Sequence, residues 1–278
     1  MLDRVFDGFE AAASGDHERA DEILRPLFDD PRCWEVIATD PLMRTGVAYT
    51  LGIGDLHAGR LDRAEATFRR VKSDMPDHPE IRRGLAQVHM ARGELDSAAT
   101  LLDPSPRAHW IDRVISAKLA WRRGDTDEAV RRALTELDGS LPPAGHPWDD
   151  AGALLQAGQI LLDAGLVAEA RRAVDGIGPL LVDAGPAVPI HTDWRILDAA
   201  VTRAEGRPSK ALEVLAGIVP QGGFSLAAWH RERARSLRDL GRTEESAAEY
   251  REALARLEAA GERWDADALR EEIAALGG

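Results

Sequence analysis

Apolar and small residues fall along this chain in a register that repeats. A glycine follows each helical-looking stretch, and a small residue stands five positions later: Gly15–Ala20, Gly59–Ala64, Gly93–Ala98, Gly124–Ala129, Gly165–Ala170, Gly206–Ala211 and Gly241–Ser246. Successive glycines are 44, 34, 31, 41, 41 and 35 residues apart. Further small or apolar residues flank each pair, such as Gly8 and Leu24, Leu51 and Phe68, Leu85 and Leu102, or Ala234 and Tyr250. A period of this size, with one turn between two helices, predicts an array of helical hairpins in which each unit packs on its neighbours. The tail from Glu262 to Leu276 predicts one more helix, with Trp264, Leu269, Ile273 and Leu276 on one face. Such a helix would cover the last hydrophobic surface of the array.

The clearest unit is 45–78, TGVAYTLGIGDLHAGRLDRAEATFRRVKSDMPDH. Gly52 and Ala64 let two helix backbones approach, and Leu51 and Phe68 fill the space around them. Gly59 can take the left-handed conformation that ends a first helix. Asp62 and Glu65 have capping-box spacing at the start of the second, and Pro76 would stop it. The order and spacing of Leu-Gly, Gly, Ala, Phe and Pro resemble the tetratricopeptide repeat, strongly over 45–103 and in the same register over nearly the whole chain. The resemblance implies an all-α, right-handed α-solenoid over residues 1–278, with about seven hairpins and a capping helix at 262–276. With the first unit at 1–34, no room is expected for a separate N-terminal domain.

Three connections exceed what the repeat demands: Asp29–Arg44, the Pro- and Gly-rich Asp138–Asp150, and Gly176–His191. Insertions in such an array belong on its edges, where they can build one side of a binding site. The middle one marks the expected bend or subdivision, near 138–150.

Composition narrows the function. Hydrophobic residues make up 44% of the chain and aromatics 5%, which suits helices rich in Ala and Leu and argues against a sheet. The 35 basic residues against 48 acidic ones give a net charge of −13, the wrong balance for a nucleic-acid binder. A single cysteine, Cys33, excludes an intrachain disulfide and a thiolate cluster, and is expected to pack as a small apolar residue. The N-terminus lacks the basic start and uninterrupted apolar core of a signal peptide, and no stretch is apolar for long enough to span a membrane. A cytoplasmic protein is expected. The three lysines, Lys72, Lys118 and Lys210, beside abundant arginine fit a GC-rich bacterial genome.

Catalytic signatures are missing. The eight histidines show no i, i+4 pair and no HExxH, and there is no phosphate loop, nucleophile elbow or dinucleotide fingerprint. The sequence therefore predicts no catalytic residue, metal or cofactor. Trp110, Trp194 and Trp229 fall near the starts of first helices and are expected to pack between repeats, while Trp121 has a different register.

Function is thus carried by the resemblance. It implies that the first helix of each repeat lines a concave groove, and that its second, fifth, ninth, twelfth and thirteenth residues face inward. At these positions stand Arg83, Gln87, Lys118, Trp121, Arg122, Gln159, Asp163, Asp193, Ile196, Arg203, Arg231, Arg235 and Arg238, preceded in the first two units by apolar residues that include Phe6, Phe9, Tyr49 and Ile53. A basic stripe inside an acidic protein would attract anionic groups locally. The expected binding residues are Arg83, Gln87, Lys118, Trp121, Arg122, Arg203, Arg231, Arg235, Phe9 and Tyr49. The expected function is non-catalytic recognition of a protein or peptide with an acidic segment, as a scaffold, adaptor or regulatory subunit, with self-association an open option. A second reading is a peptide or metabolite sensor, since the ending GERWDADALREEIAALGG resembles helical-repeat regions of bacterial signalling regulators. A third is an enzyme with its site around His146 and His191.

Overall fold

The computed structural model describes residues 1–13, 16–102, 109–139, 147–182, 189–218, 223–259 and 262–274. Gly15, Pro104, Pro106, His146, Leu276 and the side chain of Trp264 lie outside the described residues. Within them the chain is all-α, with sixteen helices packed largely as sequential pairs. It divides into two compact units, residues 1–101 with 260–262, and 102–259 with 263–278.

The first unit holds α1 (Leu2–Ala13), α2 (His17–Asp29), α3 (Pro31–Ile37), α4 (Pro41–His57), α5 (Leu61–Lys72), α6 (Pro79–Ala91) and α7 (Leu95–Thr100). Hairpins α1–α2, α4–α5 and α6–α7 share one core, in which Val5, Leu24, Leu51, Phe68, Val71 and Ile81 are buried. Phe68 is its wedge. A Cβ added at Gly52 on α4 or at Gly84 on α6 would lie 2.3 Å from the Phe68 Cζ. One ring thus occupies the space that two glycines vacate, as the spacing of Gly52 and Phe68 predicts for the first of them.

The second unit holds hairpins α8 (Trp110–Arg122)–α9 (Thr126–Leu137), α10 (Pro147–Asp163)–α11 (Val167–Leu180), α12 (Pro189–Ala204)–α13 (Pro208–Ala216) and α14 (Gly223–Asp239)–α15 (Thr243–Ala259), followed by α16 (Arg263–Ala274). Ala266 and Leu269 of α16 are buried with Tyr250, Ala253 and Leu257 of α15, as expected of a capping helix. The turn glycines 59, 93, 124, 165, 206 and 241 all have φ between 73° and 82°, the left-handed region open to glycine. Trp194 and Trp229 pack between helices as expected, their Nε1–H groups donating to the Val174 and Leu215 carbonyls, each at 3.0 Å. Trp110 rests against Gly152 of α10.

Several local expectations are corrected. The segment 29–44 is not an edge loop. Asp30 caps a helix that opens on Pro31, and this helix turns Trp34 and Ile37 into the core. Trp34 meets Phe28 edge to face at 4.7 Å, and the Arg70 guanidinium lies 4.3 Å from the Phe28 ring centre and 4.9 Å from that of Trp34. The capping box at α5 does not form, because the helix starts at Leu61 with Arg60 as its N-cap. Asp62 and Glu65 instead hold Arg92 of the next hairpin, at 2.6 and 2.5 Å. Helix α5 ends at Lys72, ahead of Pro76. The two units meet in sequence at 101/102, and α9 and α10 pack together inside the second unit.

Candidate functional site

In the second unit the first helices of the hairpins, α8, α10, α12 and α14, pack side by side in order. Helical spacing gives each of them one face on a shared cavity of ≈ 250 Å³. Lys118, Trp121 and Arg122 come from α8, Gln156, Gln159, Ile160 and Asp163 from α10, Asp193 and Ile196 from α12, and Arg231 from α14. Asp265, in the first turn of α16, completes the wall.

Cations and carboxylates both line this space. Arg122 Nη2 lies 3.4 Å from Asp265 Oδ2. The Gln159 amide donates to Asp163 Oδ1 at 3.1 Å. The Ser225 hydroxyl donates to Asp193 Oδ1 at 2.5 Å. Desolvation by the surrounding protein pushes the Asp163 carboxyl up, against the opposing pull of Arg231, the Gln159 bond and Arg235. Asp193 is likewise raised by burial, opposed by the Ser225 bond and the charge of Lys118. Among the described residues Arg231 makes no ion pair within 4 Å; its charge is felt at Asp163, Glu232 and Glu272.

The other arginines of the expected stripe face acids from neighbouring helices. Arg203 binds the buried Glu232 at 2.5 Å and Asp239 at 3.2 Å. Arg235 grips both carboxylate oxygens of Glu272 on α16, at 2.8 and 2.7 Å. Tyr250 donates to that same carboxylate at 2.7 Å, and Arg238 lies 3.4 Å away. These charges fix α14 against α12 and α16. In the first unit Arg83 is buried and Gln87 half-buried on α6. Phe9 and Tyr49 pack against the core: a Cβ at Gly46 would lie 3.0 Å from the Phe9 ring, and Tyr49 stands 6.4 Å from Phe68. The structure therefore gathers Lys118, Trp121, Arg122 and Arg231 on one cavity and distributes Arg83, Gln87, Arg203, Arg235, Phe9 and Tyr49 elsewhere.

The sequence does not mark Asp265, because a helix expected to cap the array is not expected to present a face to the cavity. The signal that marks it is the repeat register itself, which extended into α16 places an early position on the inward face. Also unforeseen is a histidine pair: His57 Nδ1 lies 3.3 Å from His17 Nε2, across α4 and α2. His191 stacks edge-on against Trp194 at 5.3 Å. Among the described residues no group of three or more His, Cys, Asp or Glu side chains is arranged to hold a metal ion, and no helix is long and apolar enough to cross a membrane.

Comparison with known proteins agrees with the helical pairing. Residues 55–109 match a family model described as tetratricopeptide repeat, and residues 115–134 match a second with the same description. The crystal structure of a tetratricopeptide repeat protein from Parabacteroides merdae ATCC 43184 is similar in fold, with a TM-score of 0.51 and 15% sequence identity over 97% of this chain and 96% of that one. At that identity the likeness concerns the fold alone. No curated protein matches the chain in sequence.

Proposed function

The chain is a tetratricopeptide-repeat protein, and from that premise we propose that it is a non-catalytic binding protein of the cell interior, a scaffold, adaptor or regulatory subunit that recognises a protein or peptide through the first helices of its hairpins. The observation that carries this reading is the convergence of four such helices on one recess furnished with Lys118, Trp121, Arg122 and Arg231. Trp121 offers an aromatic wall. Lys118 and Arg231 offer charge to a carboxylate, and each charge-assisted hydrogen bond is worth about 1.5–3 kcal/mol net. Arg203 and Arg235 serve the scaffold, because their guanidinium groups are held by Glu232 and Glu272.

Affinity capture from lysate of the source cells, read by mass spectrometry, tests this. The wild type is expected to retain a partner that the folded K118E/R231E variant releases. Equal capture by both proteins would move the interface off this recess.

A second reading, a small-ligand sensor, is favoured by one specific observation. The Arg122–Asp265 ion pair joins the first and last helices that border the cavity.

A further inference from the structure

We propose that the cavity of the second unit is a binding site for a small zwitterion, of the free amino-acid or dipeptide class. The inference rests on the sensor reading above and names its ligand.

The first argument is charge. Beside Arg122 and Asp265, which pair with each other, Lys118 and Arg231 contribute two positive groups to the cavity, and Asp163 and Asp193 two negative ones. A site built for a bare anion would not surround it with as many carboxylates as cations, since each like charge opposes entry. A site built for a bare cation fails for the mirror reason. A ligand that carries an ammonium and a carboxylate a few bonds apart satisfies both sets.

The second argument is that Arg231 is held apart from Asp163 and Asp193. Among the described residues Arg231 has no carboxylate within 4 Å, although Asp163 borders the same cavity. Gln159 anchors Asp163 on its own helix, and Ser225 anchors Asp193. On the other side, the neighbouring Arg235 is clamped by Glu272. The scaffold thus keeps Arg231 and the two aspartates from collapsing onto one another, and leaves their remaining hydrogen-bonding capacity to whatever lies between them. A carboxylate placed on Arg231, with its ammonium turned to Asp163 or Asp193, would use that capacity directly.

The third argument is size. A volume of ≈ 250 Å³ lies just below the range of roughly 300–1,000 Å³ typical of drug-sized ligands, and equals about eight waters of bulk liquid. That is the scale of an amino acid or dipeptide. Trp121, Ile160 and Ile196 give its side chain apolar wall to lie on.

The test uses the purified full chain at neutral pH, with isothermal calorimetry and thermal shift as readouts. The probes are the twenty free amino acids and alanyl-leucine, and for each binder its N-acetylated form (anion) and its carboxamide form (cation). At least one zwitterion is expected to bind and raise the melting temperature, with both blocked forms at least tenfold weaker. R231M and D163N, confirmed as folded by circular dichroism, are each expected to lose at least tenfold in affinity. A blocked form that binds within tenfold of its parent would overturn the zwitterion assignment while leaving a small-ligand site in place. Binding that survives both substitutions would remove the ligand from this cavity. Silence across the whole panel would overturn the proposal, and the sensor reading would fall separately if a library of non-zwitterionic metabolites also left the melting temperature unchanged.

Discussion

Arg122 and Asp265 are 143 positions apart in the chain and 3.4 Å apart in space. Their contact completes a circuit. Helices α8, α10, α12 and α14 pack in sequence, Arg235 and Glu272 tie α14 to α16, and Arg122 ties α16 back to α8. The last two links are ion pairs between side chains. Asp265 is partly open to solvent, and an ion pair so placed is worth about 0–1 kcal/mol. D265N is therefore expected to lower stability by less than about 1 kcal/mol while loosening the first turn of α16. Hydrogen exchange at the start of α16 should speed up with the rest of the chain unchanged. Unaltered exchange there would mean that the ion pair holds nothing.

Glu272 makes the other link pH-dependent. Burial alone would raise its carboxyl, but the Arg235 fork, the Tyr250 hydroxyl and the charge of Arg231 outweigh that and bring it from an ordinary 4.5 down to about 2. A carboxyl depressed in the folded state adds stability in full above its unfolded value, and loses it as pH falls through the folded one. The stability gap between wild type and E272Q is expected to be roughly 2–3 kcal/mol at pH 7 and to shrink between pH 4.5 and 2. Urea titrations across that window measure it. A gap that stays constant down to pH 2 would show that Glu272 is not stabilised as an anion.

The parts of this molecule legible in its sequence are those set by neighbours a turn or a hairpin apart. Gly59, Ala64 and Phe68 announce a hairpin because backbone approach and ring packing depend on residues within one unit. Lys118, Trp121 and Arg122 share a helix face, so a register carried along the chain finds all three. Asp265 is illegible because its partner Arg122 lies several hairpins away. Glu272 is illegible because its partners sit on the hairpin before it, where no local pattern marks a carboxylate as the partner of an arginine on another helix. The same blindness produced the basic stripe: counting cations at inward positions takes no account of the acids that neighbouring helices bring to Arg203 and Arg235. At Asp62 the difference is smaller: the helix starts two residues earlier than the capping box expects, and an expected cap becomes an ion-pair partner.

Asp55 shows how costly such a hidden partner is to remove. Its side chain is fully buried on α4 and is held by Arg25 of α2 at 2.5 Å, Arg60 at 2.8 Å and Arg63 of α5 at 2.7 Å. Arg25 also binds Asp21 and Thr67, so the cluster joins three helices of the first unit. D55N keeps the shape and removes the charge, leaving guanidinium groups without their shared counter-ion. Breaking a buried pair from one side costs roughly 3–5 kcal/mol, and a loss in that range is expected in urea denaturation. A loss below about 1 kcal/mol would show that solvent, and not Asp55, balances these arginines.

The wedge at Phe68 gives a prediction in which a single substitution changes sign. In the wild type, G52A would place a Cβ 2.3 Å from the Phe68 Cζ, and the ring cannot withdraw because Gly84 holds it at the same distance from the other side. Overpacking of this kind costs about 1–3 kcal/mol. F68A alone is expected to cost about 3–5 kcal/mol through the cavity it leaves. With the ring gone, the clash at Gly52 goes too. What remains is the intrinsic gain of alanine over glycine inside a helix, about 1 kcal/mol. G52A is thus expected to destabilise the wild type and to stabilise F68A, giving a double-mutant coupling of roughly 2–4 kcal/mol. Chemical denaturation of the four proteins measures the cycle. If G52A destabilised both backgrounds equally, the close approach of α4 and α5 would have to depend on contacts other than this ring.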